Sequence, residues 1–399
     1  MTARSHGFGI IFPHPAGAGF ALRTLEQAFR AVGAELAGSP DDVHVIFDEA
    51  SSLDTEQRDE PVETFAWSRQ TPDQLEHLSR WIAARRITTI FGLDLPVSSP
   101  AYAVMRRAGV QCIISYWGAP MSSINHGAKL LLKRLQIAST SLGPDHYIFE
   151  SEAMRATAVA GRGIAPSITS VIPTGIDHTR FSPSAAKTPY ANQTFDIPMS
   201  RKIVIYSGHF EARKGVAVLI ECIRHLVLER QANHLHFLLC GNRGNDADAF
   251  QARIRGTAAE RFVTFAGYRS DILQLYQSSW AGCIASTGWD SFPMSALEMQ
   301  ATGLPIFVSR LQGIPETIEE GQTGLSFPPG DHVTLAQQLL DLANDNARRE
   351  AMSLQATDRI TRFFTREHQR RALVEVVRQV VQRAASPWAV VDRNGVVQR

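Results

Sequence analysis

Cysteine is scarce, with four in 399 residues. Cys112, Cys222, Cys240 and Cys283 each lie inside an apolar run such as V-Q-C-I-I or F-L-L-C-G, and none has a partner at metal-binding spacing. They read as reduced core residues, which excludes a disulfide scaffold or a zinc module. Nowhere do about 18 apolar residues run together, so no segment reads as a membrane span. The apolar stretch Gly7 to Phe12 stops at Pro13, too short for a secretory signal, and a cytoplasmic protein is expected. There is no long Lys/Arg run, and the formal net charge of +1 is too small to attract nucleic acid. The absence of a repeat or a low-complexity segment sets solenoids and propellers aside. No G-x-G-x-x-G follows a strand with an acid about 20 positions on, which argues against a dinucleotide-dependent oxidoreductase.

What is present is a globular composition, 44% hydrophobic and 20% charged, in a chain long enough for two cores. The runs G-I-I-F, V-H-V-I-F, I-T-T-I-F, Q-C-I-I-S, Y-I-F-E-S and S-V-I-P read as strands separated by helices, the pattern of a parallel sheet wrapped by helices. The pattern breaks in a proline-bearing stretch and restarts with K-I-V-I-Y-S-G, H-F-L-L-C-G, R-F-V-T-F-A-G, A-G-C-I-A-S and L-P-I-F-V-S. This predicts an α/β protein of two Rossmann-like, doubly wound domains. The first spans 1–185, a hinge or linker 186–200, and the second domain 201–364. Residues 365–385 have helical spacing and are expected to pack near or on the N-terminal domain, and 386–399 form a tail.

In open α/β sheets ligands collect beyond the carboxyl ends of the strands. Two loops of the second domain stand there. In S-G-H-F-E-A-R-K-G-V, Gly208 allows a close turn while Lys214 and His209 could bring positive charge to a diphosphate, although a lysine in a polar loop is also simply solvated. In S-T-G-W-D-S-F-P-M-S-A-L-E-M, a helix starts near Phe292 or Met294, with Asp290 just before it and Glu298 eight residues further on. Carboxylates there can accept hydrogen bonds from sugar hydroxyls. Equally, Asp290 alone could be an N-cap and Glu298 a solvated helix residue.

Taken together, in order and spacing, four stretches resemble the family 4 retaining glycosyltransferases: V-I-P-T-G-I-D-H-T-R-F-S-P, G-H-F-E-A-R-K-G-V, F-A-G-Y-R-S-D-I-L-Q-L-Y, and D-S-F-P-M-S-A-L-E-M with L-Q-G-I-P-E. The resemblance runs from about residue 170 to 364 and is weaker before that. It implies the GT-B fold, two Rossmann-like domains facing across a cleft. The donor, a UDP- or GDP-linked sugar, would be held by Gly208, His209, Lys214, the loop Ala266, Gly267 and Tyr268, and by Asp290, Ser291, Phe292, Pro293, Met294 and Glu298. Lys214 and Glu298 would contact diphosphate and ribose, and Asp290 the transferred sugar; these three carry catalysis. Nothing in the chain reads as an Asp-x-Asp metal site, so metal independence is expected, and the resemblance implies no further cofactor and no dedicated nucleophile. Two departures stand out: His209 replaces the usual Arg, and D-S-F-P replaces E-G-F-G, so that Asp290 stands where Glu is usual.

The N-terminal half would supply the acceptor side. P-H-P-A-G-A-G-F-A-L places Gly17 and Gly19 between a strand and a helix, like the family's glycine loop, or as a plain turn. Y-W-G-A-P-M-S-S-I-N-H-G-A-K places Trp117 and His126 after another strand. The family often carries a histidine nearer the tryptophan, so that position is shifted or unfilled here, and no catalytic base is assigned. K-L-L-L-K-R-L-Q groups Lys129, Lys133 and Arg134 with leucines on a helix, which fits either peripheral contact with the cytoplasmic face of an anionic inner membrane or a half-buried helix. The expected partners are a nucleotide sugar and a saccharide or lipid-linked acceptor in bacterial surface polysaccharide or glycolipid assembly. Two rivals remain: a sugar-nucleotide epimerase of similar fold, and a non-catalytic sugar-nucleotide-binding partner protein.

Overall fold

In the computed structural model the described residues are 6–16, 19–48, 63–138, 142–186, 188–242 and 245–385, so the expected tail from Ser386 lies outside them. The chain divides into two compact units, Met1–Pro173 together with Glu367–Arg399, and Thr174–Arg366.

The first unit carries β1 (Gly7–Phe12), β2 (Val43–Phe47), β3 (Glu63–Thr64), β4 (Ile87–Leu93), β5 (Cys112–Trp117), β6 (His146–Phe149) and β7 (Thr169–Val171). They form one sheet in the order β3-β2-β1-β4-β5-β6-β7, parallel throughout. Chain order reverses between β1 and β4, which makes their carboxyl ends the switch point where such sheets bind ligands. Both faces are covered, so strand residues are apolar in runs: Phe8, Ile10 and Phe12 enter one core while Ile11, Ile46 and Ile90 enter the other. The helix Arg366–Ala385 contributes Leu373, Val374, Val377 and Val380 to the first of these cores.

The second unit carries β8 (Lys202–Ser207), β9 (Leu235–Cys240), β10 (Val263–Gly267), β11 (Ala281–Ile284), β12 (Ile306–Ser309) and β13 (Gly324–Phe327), in the order β10-β9-β8-β11-β12-β13. This sheet is also parallel, with its switch point between β8 and β11. Alternation along β8 divides its side chains, Ile203 and Ile205 into one core, Val204 and Tyr206 into the other. All four cysteines are buried and free, and burial pushes their thiols up, as expected of inert core residues.

Of the stretch 186–200, expected as a linker, residues 188–200 are packed onto the second unit. It holds the short helix Tyr190–Thr194, buries Ala191 and Ile197 in that unit's core, and donates a hydrogen bond from Tyr190 Oη to Asp271 Oδ2 at 2.7 Å. The chain passes from one unit to the other at Pro173–Thr174 instead. Prolines and a missing period mark irregular backbone, and irregular backbone can still bury apolar side chains.

Candidate functional site

The loop after β8 is shaped by short-range contacts. Gly208 N–H donates to the Cys240 carbonyl at 3.1 Å, and Tyr206 Oη donates to the His209 carbonyl at 2.7 Å. A single turn, Ala212–Lys214, ends at Gly215, whose φ of 75° leads into the helix Val216–Arg224. A Cβ on Gly215 would stand 1.7 Å from the Ala285 carbonyl oxygen, so only glycine lets this loop lie against the end of β11.

The loop after β11 is tied to it. Thr287 and Gly288 N–H groups both donate to the Arg213 carbonyl, at 2.7 and 3.0 Å, and Arg213 Nη1 donates to the Trp289 carbonyl at 3.0 Å. The same guanidinium lies 4.1 Å from the Trp289 ring centroid and is held from behind by Glu211 at 2.7 Å. This stitching brings Lys214 and Asp290 together. Lys214 Nζ donates to Asp290 Oδ2 at 2.8 Å, Ser286 Oγ donates to the same oxygen at 2.8 Å, and the Asp290 N–H donates to Gln312 Oε1 at 3.0 Å. Asp290 is buried while the lysine side chain is 19% exposed, so the ion pair is reached from solvent through its cation.

Glu298 lies on the helix Met294–Ala301, one turn inside it, and is buried. Burial raises its carboxyl from the ordinary 4.5 to about 7, against the pull of Arg180, the Tyr276 hydroxyl and Arg366. It is neither solvated nor a cap, and neither is Asp290. Of the other residues expected at the donor, Phe292 is a core side chain 5.5 Å from the Phe364 ring, and His209 is exposed with Glu211 3.5 Å away. Ser291 is buried, and Pro293 and Met294 lie half-buried at the helix start. At the end of β10, Ala266 packs against the core, Gly267 has φ 63° and accepts from the Gly241 N–H at 3.0 Å, and Tyr268 is exposed. The network around Asp271 was not foreseen: Arg269 grips it through two nitrogens, at 2.8 and 2.5 Å, and with Tyr190 holds its carboxyl below the usual range. Its signal is the R-S-D spacing at a strand end.

In the first unit Gly17 lies outside the described residues, while Gly19, φ 91°, immediately precedes the helix Phe20–Ala37. Trp117 ends β5 half-buried, and His126 is exposed just before the helix Gly127–Ala138. A further pair at the switch point was missed: His14 Nε2 lies 3.9 Å from Asp94 Oδ2. An Asp directly after the strand I-T-T-I-F-G-L was the available signal.

One Asp-x-Asp triplet is present, Asp246-Ala247-Asp248, but Asp246 Oδ2 accepts from Asn242 Nδ2 at 2.6 Å and Asp248 begins a short helix. Among the described residues no group of three or more His, Cys, Asp or Glu side chains is placed to hold a metal ion.

Two family models match the chain: Glycosyltransferase Family 4 over residues 25–180 and Glycosyl transferases group 1 over residues 201–345. The chain belongs to the family 4 glycosyltransferases, with two parallel-sheet units of the GT-B fold. It resembles the D-inositol 3-phosphate glycosyltransferase of Corynebacterium kroppenstedtii, 27% identical over 234 residues, which is 57% of this chain and 49% of that protein. It also resembles the N-acetyl-alpha-D-glucosaminyl L-malate synthase of Bacillus anthracis, 28% identical over 43% of this chain and 44% of that one. The chain thus spans about half the length of the curated relatives it matches. Among solved structures, a glycosyltransferase from Rickettsia africae superposes with a TM-score of 0.77 at 17% identity, covering 95% of this chain and all of that one. The Anabaena protein HepE, solved with UDP and glucose, gives 0.72 at 18% identity, covering 94% and 100%.

Proposed function

We propose that this chain is a retaining glycosyltransferase that moves a sugar from a UDP- or GDP-linked donor to an acceptor hydroxyl without a metal, in bacterial surface polysaccharide or glycolipid assembly. The observation that carries the reading is the Lys214–Asp290 pair at the switch point of the second unit, 2.8 Å apart and accessible from the lysine side. An arriving diphosphate competes with Asp290 for the ammonium, and the carboxylate so released accepts from a hydroxyl of the transferred sugar. Glu298, once ionised, accepts from ribose hydroxyls. HepE's complex with UDP favours a uridine nucleotide over a guanosine one. The names of the relatives favour transfer over epimerisation.

In the reaction the acceptor oxygen bonds to the anomeric carbon as the bond from that carbon to the phosphate oxygen breaks, and the departing phosphate takes the acceptor proton. Catalysis then rests on positioning and on Lys214 stabilising the charge that develops on the diphosphate.

The acceptor side includes a membrane contact. The helix Gly127–Ala138 leaves Leu131, Leu132 and Leu135 between 57% and 66% exposed, carries Lys129, Lys133 and Arg134, and has no acid. That combination suits the surface of an anionic bilayer carrying a lipid-linked acceptor. Among the described residues no helix is long and apolar enough to cross one.

Thermal-shift titrations of UDP, GDP, ADP and their common sugar conjugates test the reading. The expected result is stabilisation by one nucleotide and its sugar conjugate, lost in Lys214→Ala. If no nucleotide moves the transition, the donor assignment fails.

A further inference from the structure

We propose that His14 and Asp94 form the hydroxyl-binding site for a neutral polyol acceptor. The inference rests on the chain's being a glycosyltransferase and adds the residues that would hold the second substrate.

Three observations converge on this pair. The first is position. His14 follows β1 by two residues and Asp94 follows β4 directly, and these two strands flank the point where the sheet of the first unit reverses its order. The second is the way Asp94 is fixed. Its backbone is left-handed, φ 47°, a conformation that Asp tolerates but rarely adopts. Its N–H donates to the Tyr116 carbonyl at 2.7 Å and its Oδ1 accepts from the Gly118 N–H at 3.1 Å, which locks one carboxylate oxygen to the end of β5. The backbone of His14 is held in turn, its carbonyl accepting from the Asp48 N–H at 3.2 Å.

The third is the gap. The remaining oxygen, Oδ2, stands 3.9 Å from His14 Nε2, with the two side chains 24% and 41% exposed. That is too long for a direct hydrogen bond, yet a hydroxyl oxygen about 2.8 Å from each atom fits between them. Such a hydroxyl donates to Asp94 and exchanges its second hydrogen bond with the imidazole.

The charge of the site selects the ligand class. The Asp94 carboxylate disfavours a diphosphate and suits uncharged hydroxyls. The first unit therefore takes the polyol and leaves the anionic donor to Lys214.

The test uses the full chain, UDP-glucose as donor, and the methyl glycosides of glucose, galactose and mannose as acceptor probes, with His14→Gln and Asp94→Asn. Asparagine also tolerates a left-handed backbone, so the second variant keeps the fold. The expected result is transfer to at least one glycoside by the wild type, with about a tenfold or greater loss of kcat/KM for the glycoside in each variant. UDP-induced thermal stabilisation should stay unchanged. Equal loss of donor stabilisation, or an unchanged dependence on the glycoside, overturns the assignment. So does a wild type that binds donor but transfers to none of the three. A wild type that fails to bind any nucleotide overturns the glycosyltransferase reading itself.

Discussion

Lys214 Nζ lies 2.8 Å from Asp290 Oδ2, joining the loop after β8 to the loop after β11 across 76 positions of sequence. Lys214→Ala leaves a buried carboxylate with Ser286 Oγ as its remaining side-chain donor. Breaking a buried pair from one side costs about 3 kcal/mol, so this variant should melt several degrees lower and lose the nucleotide-dependent shift. Asp290→Asn keeps the shape and an acceptor for Ser286, and should bind nucleotide but transfer poorly. Calorimetry of both variants with and without UDP checks this; an unchanged UDP response in Lys214→Ala would remove the lysine from the donor site.

Glu298 predicts a pH dependence. Its carboxyl is raised from 4.5 to about 7, so between those values the folded chain holds more protons than the unfolded one. Stability therefore falls as pH rises through that window, by an amount on the order of 3 kcal/mol for this group. Glu298→Gln removes the contribution. Its melting temperature relative to wild type should rise across the window and level off above it, as urea or thermal unfolding at a series of pH values would show. A flat difference means that Glu298 is already ionised in the fold.

Gly215 allows no replacement. With φ 75° and a Cβ that would meet Ala285 O at 1.7 Å, Gly215→Ala has to move the Lys214 loop off the sheet. A loss above about 2 kcal/mol in urea unfolding, together with loss of nucleotide binding, is expected. A near-native midpoint would show that the two loops are not packed as described.

The exposed leucines predict binding to anionic vesicles. Replacing Leu131, Leu132 and Leu135 together with serine removes apolar surface that is already in water, so stability should hardly change. Co-sedimentation with phosphatidylglycerol vesicles at low salt should fall several-fold relative to wild type. Wild-type protein that stays in the supernatant ends the idea.

Arg213 and Trp289 predict a donor effect without a stability collapse. The guanidinium both stacks on the indole and ties down its carbonyl. Arg213→Ala should raise the donor KM several-fold by loosening the loop that carries Asp290, with a modest drop in melting temperature. Steady-state kinetics with donor varied at fixed acceptor would show it, and an unchanged KM would leave Arg213 with a purely structural part.

Much of the molecule was legible in the chain itself. Parallel strands buried on both faces leave continuous apolar runs, and β8, β9, β11 and β12 announce themselves as K-I-V-I-Y-S, L-H-F-L-L-C, A-G-C-I and I-F-V-S. Loops at strand ends are where such sheets bind ligands, which draws attention to Lys214, Asp290 and Glu298, but position and residue type leave a solvated lysine and a helix cap equally open until the four motifs are read together. The irregular residues 188–200 could not be read in the same way, because a burial pattern without a period, such as Ala191 and Ile197 packed with Tyr190, leaves no mark distinct from a linker. Pairings were equally beyond reach. That Asp290 is held by Lys214, that Glu298 sits deep enough to be raised to about 7, and that His14 faces Asp94 depend on which strands lie side by side at each switch point. Local sequence determines what each strand and loop is; long-range packing alone decides strand order, and with it which side chains meet and how much water they keep.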